Sequence, residues 1–235
     1  MQSGEIRRLT ELEDRHWWYR ERRAVLAREL RRLPQPARGA RALDIGAAGG
    51  GNTKVLLEHG WRALATDTSE VAVSIARERG VEAMLADACE LPLESAAFGV
   101  VTAFDVLEHI EDDHRAACEI ARVLRPGGAA LITVPCDSAL WSAHDEAVGH
   151  VRRYDRNGLS TVVEQAGLVI DRLWSWNVLL RPVVAWRRRT SSGSDLQELH
   201  PVVNAGLSAI VAAERYLPVT SLPGVSLMVR AHRPR

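Results

Sequence analysis

The feature that most constrains this chain is the regular alternation of short apolar segments with longer amphipathic ones. Helical patterns lie between the apolar segments, and several of them end at a glycine. Such alternation predicts a largely parallel sheet with helices on both faces. The predicted strands are 41–46, 62–67, 81–87, 98–105, 129–135, 168–175 and 224–233, and the predicted helices between them are 52–60, 69–80, 112–128 and 158–167.

Two parts of the chain do not fit the alternation. A helical pattern over 17–33 precedes the first strand and is broken by the two prolines and the glycine of 34–39. A further helical stretch at about 175–218 interrupts the chain before its last strand. We therefore predict an N-terminal helical lid, residues 1–36, and a main domain, residues 37–235, with a helical insertion.

Composition limits the partners. The 30 basic residues equal the 30 acidic ones, which gives no support to nucleic-acid binding. No segment has the length of apolar sequence that spans a membrane, and residues 1–18 lack the apolar stretch of a signal peptide. The three cysteines have no metal-like or CxxC spacing, so we expect reduced thiols and a cytoplasmic protein.

Four aspartates stand at or just after the ends of predicted strands. The carboxyl ends of parallel strands meet at one edge of a sheet, where ligands bind. The chain therefore delivers a row of carboxylates to that edge: Asp44, Asp67, Asp87 and Asp105.

A glycine-rich turn, "LDIGAAGGGNT", joins the first strand to the next helix. Glycines permit a sharp turn and close approach of a ligand, and the helix N-terminus offers free N–H groups. Asp67 ends the second strand, where an acid can accept hydrogen bonds from ribose hydroxyls. These features indicate a nucleoside-containing cofactor. A dinucleotide fingerprint would require glycine where Ala48 stands, so NAD(P) is the weaker alternative, and no P-loop sequence follows.

The ordered motifs "LDIGAAGGGNT", "ATDTS", "ADACELPLESAAFGVV", "DVLEHIEDD" and "ARVLRPGGAALITVP" resemble the signature of class I S-adenosylmethionine-dependent methyltransferases. The resemblance covers roughly residues 40–135, and Ala48 replaces the middle glycine of the usual motif. The stretches "HWWYRERR" and "LWSAHDEAVGHVRRYDRNGL" are similar to a bacterial subgroup that methylates small molecules.

The resemblance implies a Rossmann-like, seven-stranded, mostly parallel sheet whose last strand is antiparallel. It also implies S-adenosyl-L-methionine as the cofactor. The residues expected around its methionine part are Asp44, Gly46, Ala48 and Gly50. Asp67 and the adjacent Thr68 would meet the ribose, Asp87 and Ala88 the adenine, and Asp105 the methionyl or sulfonium end.

Methyl transfer to an oxygen or a protonated nitrogen needs a base, and histidine suits neutral pH. His109 follows the fourth strand, and the loop after the fifth strand carries His144, His150, Arg153 and Tyr154. We expect His109, His150 and Tyr154 to be catalytic. His144 and Arg153 are expected to bind substrate, with charged-loop and capping roles as the alternatives.

A metal site at "DVLEH" is a further alternative, because Asp105, Glu108 and His109 lie close in sequence and carboxylate plus imidazole suits several metals. It resembles the E-x-x-E-H metal cluster of some other methyltransferases, but its first acid is Asp. No further ligand is evident by spacing, so we expect no metal.

The tryptophans of "HWWYRERRAVL" cannot both face one core, because adjacent helical residues point about 100° apart. One can anchor the lid while the other closes the pocket. Tyr19 and Arg23 lie four residues apart and are expected to bind the cofactor. Trp18 and Trp176 are expected to contact an apolar or aromatic substrate.

The predicted function is thus methyl transfer to an oxygen or nitrogen of a small molecule. The alternatives are an NAD(P)-dependent oxidoreductase, and a non-methylating enzyme that uses the same sulfonium cofactor. A homodimer is left open.

Overall fold

The computed structural model describes residues 10–190 and 199–235. Seven strands form one sheet in the order β3-β2-β1-β4-β5-β7-β6. β7 runs antiparallel to both β5 and β6, and the other pairs are parallel. The predicted fold class is confirmed. The strands are β1 (Arg41–Ile45), β2 (Arg62–Asp67), β3 (Ala83–Leu85), β4 (Phe98–Phe104), β5 (Leu124–Pro135), β6 (Val169–Trp176) and β7 (Ser226–His232).

The helices lie between the strands and in the two predicted additions. Residues 10–13 are also helical, and single helical turns occur at Leu107–His109 and Ser138–Leu140. The longer helices are α1 (Trp17–Leu30), α2 (Gly51–Glu58), α3 (Glu70–Glu78), α4 (Asp113–Val123), α5 (Ala143–Val148), α6 (Arg156–Gln165), α7 (Arg181–Thr190) and α8 (Pro201–Glu214).

The sheet is buried on both faces, as its apolar strands require. All seven residues of β4 are buried. On β1, the side chains of Leu43 and Ile45 join the hydrophobic cluster that includes α4 and α6, while Ala42 joins the cluster that includes α1 and α2. The period of two along the strand therefore separates the two layers of the core.

One predicted boundary was wrong. The helix expected over 112–128 ends at Val123, and β5 begins at Leu124, pairing with Phe98 before a bulge. Arg125 precedes Pro126, and a residue before proline is biased away from helical backbone. The chain therefore becomes extended before the Gly-Gly pair that was expected to end the helix. Ser69 caps α3, its Oγ accepting from the Ala72 N–H at 3.3 Å.

The N-terminal helix and the insertion pack against each other. The Trp17 N–H donates to Asn204 Oδ1 at 2.8 Å, and Ser208 Oγ donates to Glu21 Oε1 at 3.0 Å, so α1 is tied to α8. Residues 1–9 of the predicted lid and residues 191–198 of the predicted insertion lie outside the described residues. None of the helices in the described ranges has the length and hydropathy needed to cross a membrane.

Candidate active site

A cavity of about 1120 Å³ lies at the carboxyl ends of the strands. Its floor is formed by the turns after β1, β2 and β4, and its other walls by α1, α7, α8 and the loop after β5. Ligand pockets commonly measure roughly 300–1000 Å³, so this cavity has room for a nucleoside cofactor together with a second small molecule.

Asp67 is fixed at the end of β2 by two backbone N–H groups. Ala48 donates to Oδ2 and Ser69 donates to Oδ1, both at 2.9 Å. Each carboxylate oxygen keeps further acceptor capacity, and Asp67 lines the cavity beside Thr68. The predicted ribose-binding acid therefore stands oriented at the predicted edge, as Asp87 and Ala88 do after β3.

Part of the glycine turn packs against residues of the same chain. A Cβ on Gly51 would lie 2.3 Å from Glu13 Oε1, and one on Gly49 would lie 2.3 Å from Thr10 Cγ2. These glycines therefore admit residues 10–13 onto the turn. Gly50, in left-handed backbone at the N-cap of α2, does not line the cavity, whereas Gly46 does.

Ala48 also lines the cavity. It adopts left-handed backbone, with φ of 45°, a conformation that favours glycine. Ala48 thus has a backbone conformation that would suit the glycine it replaces in the motif.

Asp44 does not line the cavity. Its carboxylate is buried behind the turn, where Thr53 Oγ1 donates to Oδ2 at 2.6 Å and Thr102 Oγ1 donates to Oδ1 at 2.7 Å. Burial raises the pKa of Asp44 to about 6, although the two threonines favour the ionised form. Asp44 therefore joins β1 to α2 and β4; it was expected to contact the cofactor directly.

Asp105 is held from two sides. Thr133 Oγ1 donates to its Oδ1 at 2.8 Å, and Arg22 on α1 forms an ion pair with its Oδ2. The residue has a φ of 56°, so the ligand-facing turn after β4 is strained. Sequence reasoning selected Arg23, but its guanidinium donates to the Glu13 carbonyl at 2.8 Å and does not line the cavity. Arg22 lines it instead, three residues after Tyr19 on the same helical face.

The two tryptophans occupy different environments on α1. Trp17 is buried in the hydrophobic core, whereas Trp18 is half-buried with its ring 4.7 Å from that of Trp176. Trp17, Trp18 and Tyr19 all line the cavity; Trp176 does not, and supports Trp18 from behind. Burial raises the pKa of Tyr19 to about 12, so its hydroxyl is neutral.

His109 and His150 come together at the cavity wall, with ring centroids 4.8 Å apart. Burial lowers the pKa of His109, and the neighbouring His150 lowers it further. Between them lies Glu108, whose side chain is fully buried; burial, and secondarily the charge of Asp105, raises its pKa well above the ordinary range. Sequence reasoning weighed Glu108 only as a metal ligand beside Asp105.

Asp145 organises the loop after β5. It is fully buried and accepts from His150 Nδ1 and from Arg153 Nε, each at 2.8 Å. Burial acts to raise the pKa of Asp145, but the hydrogen bond from His150 and the charge of Arg188 bring it below its ordinary value. Asp145 was missed because nothing in the spacing marks it as buried.

His144 and Arg153 line the cavity as expected, but Tyr154 does not. The Tyr154 hydroxyl donates to Asp113 Oδ2 at 2.6 Å on α4, beneath the loop. A parallel bridge between Cys136 and Tyr154 fixes the backbone there, and the side chain joins the core instead of the cavity. Tyr154 was expected to be catalytic, but its side chain lies outside the cavity.

Apolar side chains line the same cavity as the histidines and Asp105. Besides Trp17 and Trp18, this apolar wall consists of Leu180, Val183, Val184, Leu199 and Leu207 from the insertion. The strand ends therefore give the cavity polar groups, and the insertion gives it these apolar side chains together with Arg187 and Arg188 of α7.

Comparisons with known proteins show which family this chain resembles. The family model described as "Methyltransferase domain" matches residues 43–132. A Mycobacterium tuberculosis protein named as a probable S-adenosylmethionine-dependent methyltransferase is 30% identical over 171 residues, which cover 71% of this chain and 61% of that protein. The chain thus spans about three fifths of the length of this relative.

Two further proteins are similar over different lengths. Demethylmenaquinone methyltransferase of Clavibacter sepedonicus is 33% identical over 106 residues, or 43% of each chain. The solved structure of phosphoethanolamine N-methyltransferase 2 of Haemonchus contortus, in complex with S-adenosyl-L-methionine, superimposes with a TM-score of 0.63 at 20% identity. That match covers 92% of this chain and 53% of the other, and it shows a shared fold.

Proposed function

Since the chain belongs to the class I S-adenosylmethionine-dependent methyltransferase family, we propose that it transfers a methyl group from that cofactor to a small apolar or aromatic molecule. The accepting atom is an oxygen or a nitrogen. The observation that carries the proposal is the Asp67 carboxylate, oriented by the Ala48 and Ser69 amides beside a cavity large enough for cofactor and substrate.

The cofactor would lie along the strand ends. Asp67 and Thr68 would accept and donate hydrogen bonds at the ribose, and Asp87 and Ala88 would flank the adenine. At the other end, Asp105 and Arg22 would meet the methionyl group, whose ammonium and carboxylate complement their two charges. Gly46 and Ala48 would contact it through their backbone.

Residues 10–30 would act as the lid over this cofactor. Glu13 covers the glycine turn, Arg22 pairs with Asp105, and Trp17 and Trp18 wall the cavity. A covered site excludes water, which protects the sulfonium and strengthens the charged contacts.

The chemistry requires removal of one proton from the nucleophile. His109 and His150 lie at the wall where β4 ends, and a neutral imidazole there can accept it. The bound cofactor would supply an activated methyl group, which would pass to the substrate oxygen or nitrogen while sulfur kept the electron pair of the broken carbon–sulfur bond. The positive charge of the sulfonium is lost, so the transition state needs alignment more than acid catalysis.

The apolar wall supports an apolar or aromatic substrate. Leu180, Val184 and Leu207 line the same cavity as the histidines and can bury a hydrophobic ring there. The names of the two relatives differ in the substrate that they give: one names demethylmenaquinone and the other phosphoethanolamine.

The test combines binding and transfer. Quenching of tryptophan fluorescence by S-adenosylmethionine should be saturable, because Trp17 and Trp18 line the cavity, and Asp67→Ala should weaken it about 10–100-fold by removing charged hydrogen bonds. The matched control, Asp171→Ala on β6, removes a carboxylate that pairs with His232 outside the cavity and should leave affinity unchanged. Preference for NAD over S-adenosylmethionine would support the oxidoreductase alternative instead.

Transfer is then followed with methyl-labelled cofactor and a small-molecule extract containing phenols and aryl amines. The proposal expects label in the apolar small-molecule fraction. Label confined to protein or nucleic acid would contradict it, and cofactor binding without any transfer would favour a non-methylating reaction.

A further inference from the structure

Glu108 is a fully buried carboxyl group without a hydrogen bond to either oxygen within the described part of the chain. Removing such a group from water without a partner is costly, so its presence at a cavity wall calls for a ligand. The Nε2 atom of His150 lies 3.8 Å from Glu108 Oε1, beyond hydrogen-bonding distance.

Both neighbouring imidazoles have their Nδ1 atoms engaged. His109 Nδ1 lies 3.1 Å from the carbonyl oxygen of Gly149, and His150 Nδ1 lies 2.8 Å from Asp145 Oδ1. A carbonyl and a carboxylate accept hydrogen bonds, so each Nδ1 carries the proton. In the neutral rings, the Nε2 atoms therefore hold lone pairs.

This arrangement is the one that metal-binding histidines adopt. A metal-ligating imidazole nearly always donates its other N–H to a carboxylate or a backbone carbonyl, which sets the tautomer and the ring direction. Here both kinds of acceptor are present, one for each ring. The pairing of His109 with Gly149 and of His150 with Asp145 would then serve as the outer shell of a metal site.

The three candidate ligand atoms are close enough to share one ion. One atom from each of Glu108, His109 and His150 lies within 4.8 Å of the other two. Three atoms so placed are at most about 2.8 Å from a common centre, and side-chain shifts of less than about 1 Å would bring them to the roughly 2.0–2.2 Å of a metal bond.

We infer that Glu108, His109 and His150 bind a divalent transition-metal ion whose remaining coordination positions open into the cavity. Two imidazoles and one carboxylate are the ligand set of many catalytic zinc sites and of non-haem iron sites, whereas Mg²⁺ and Ca²⁺ prefer oxygen ligands. Asp105 is not a ligand, because its carboxylate is engaged by Arg22 and Thr133.

A catalytic role for this ion rests on the proposed function and specifies how the nucleophile is activated. A substrate hydroxyl bound to the metal loses its proton to water more readily, and the metal-held oxygen then attacks the methyl carbon as sulfur takes the bonding electrons. The two histidines would thereby activate the nucleophile through the metal instead of accepting its proton directly. The site also favours an oxygen nucleophile over a nitrogen one.

The first experiment measures metal binding alone. The purified full chain, freed of metal with a chelator, is titrated with Co²⁺ while visible absorption is recorded, and Zn²⁺ is used as competitor. We expect one equivalent to bind and to be displaced by Zn²⁺. Glu108→Gln and His150→Gln should each weaken binding at least about 100-fold, since loss of even an outer-shell partner costs 10–100-fold.

The control variant is His114→Ala. His114 faces Cys118 at 3.7–3.8 Å on α4 and is the kind of exposed pair that binds metal adventitiously. The single equivalent should survive in this variant. Thermal unfolding checks that each variant folds; Glu108→Gln is expected to fold because a neutral amide replaces an unpartnered buried acid. No saturable equivalent in the parent chain, or unchanged affinity in both ligand variants, overturns the inference.

A second measurement separates the metal site from the methyl-transfer function. If the chelated protein still binds S-adenosylmethionine and transfers methyl groups at the full rate, the metal has no catalytic role and the proposed function stands. If metal binds with the expected variant pattern but S-adenosylmethionine does not bind, the site stands and the proposed function fails.

Discussion

Replacing Asp44 by asparagine should remove a large part of the pH dependence of stability. Asp44 is 1% exposed, and its pKa is raised by burial from 3.8 to about 6. Between pH 3.8 and about 6, the folded state therefore keeps a proton on Asp44 that the unfolded state has released. This contribution to stability is complete below pH 3.8 and is lost as the pH rises through about 6.

The size of the effect follows from the shift. A difference of about two pKa units corresponds to about 3 kcal/mol of unfolding free energy at neutral pH, roughly half of which is already lost near pH 5. Asparagine has nearly the same shape and can still accept a hydrogen bond from Thr53 or Thr102, but it carries no charge. Asp44→Asn should therefore gain stability relative to the parent chain as the pH rises.

The assay is urea unfolding of both chains from about pH 4 to about pH 8. The difference in unfolding free energy should grow with pH and level off above about pH 6, as the shifted pKa requires. Asp171→Asn on β6, where the carboxylate is 33% exposed, is the control and should show no comparable rise. A difference for Asp44→Asn that is constant across the range would refute the reasoning, because it would mean that the buried carboxyl does not titrate there.

Two further predictions concern residues whose roles the structure reassigned. Arg22→Met should weaken S-adenosylmethionine binding by about 10-fold or more, because a charged contact at the cavity is lost, while Arg23→Met should leave affinity nearly unchanged; equal losses measured by fluorescence titration would contradict this assignment. Tyr154→Phe should lower the unfolding free energy by about 1–2 kcal/mol through loss of the hydrogen bond to Asp113, with no change in cofactor affinity. A loss of affinity in that variant would return Tyr154 to the active site.

The strand-end aspartates show how far local pattern reaches. Each apolar segment predicted a strand, and parallel strands bring their carboxyl ends to one edge, so Asp67, Asp87 and Asp105 were expected together and line one cavity. Asp44 followed the same rule and does not line it. Its side chain points into the interior behind the turn, where two threonines hold it.

The glycine turn shows a second kind of limit. A run of glycines predicted close approach to the backbone, but the sequence does not say what approaches. At Gly49 and Gly51 it is Thr10 and Glu13 of the same chain. The contact joins residues about forty positions apart, and no periodicity reports such a distance.

The chain's own sequence determined the family, the layers of the fold, and the sheet edge that carries the site. It could do so because alternation, capping and turn chemistry act over a few residues. The direction of individual side chains and the meeting of distant ones were decided by tertiary packing. The rotation of α1 places Arg22, and not Arg23, beside Asp105. The backbone bridge between Cys136 and Tyr154 directs the side chain of Tyr154 into the core.

The same packing brings His150 against Glu108 and His109, from a loop some forty residues away. Spacing did not place His150 with Glu108 and His109, because the loop after β5 returns across the end of β4 only in the folded sheet. The local sequence therefore predicted the sheet edge at which the cavity lies, and the long-range contacts decided which residues line it.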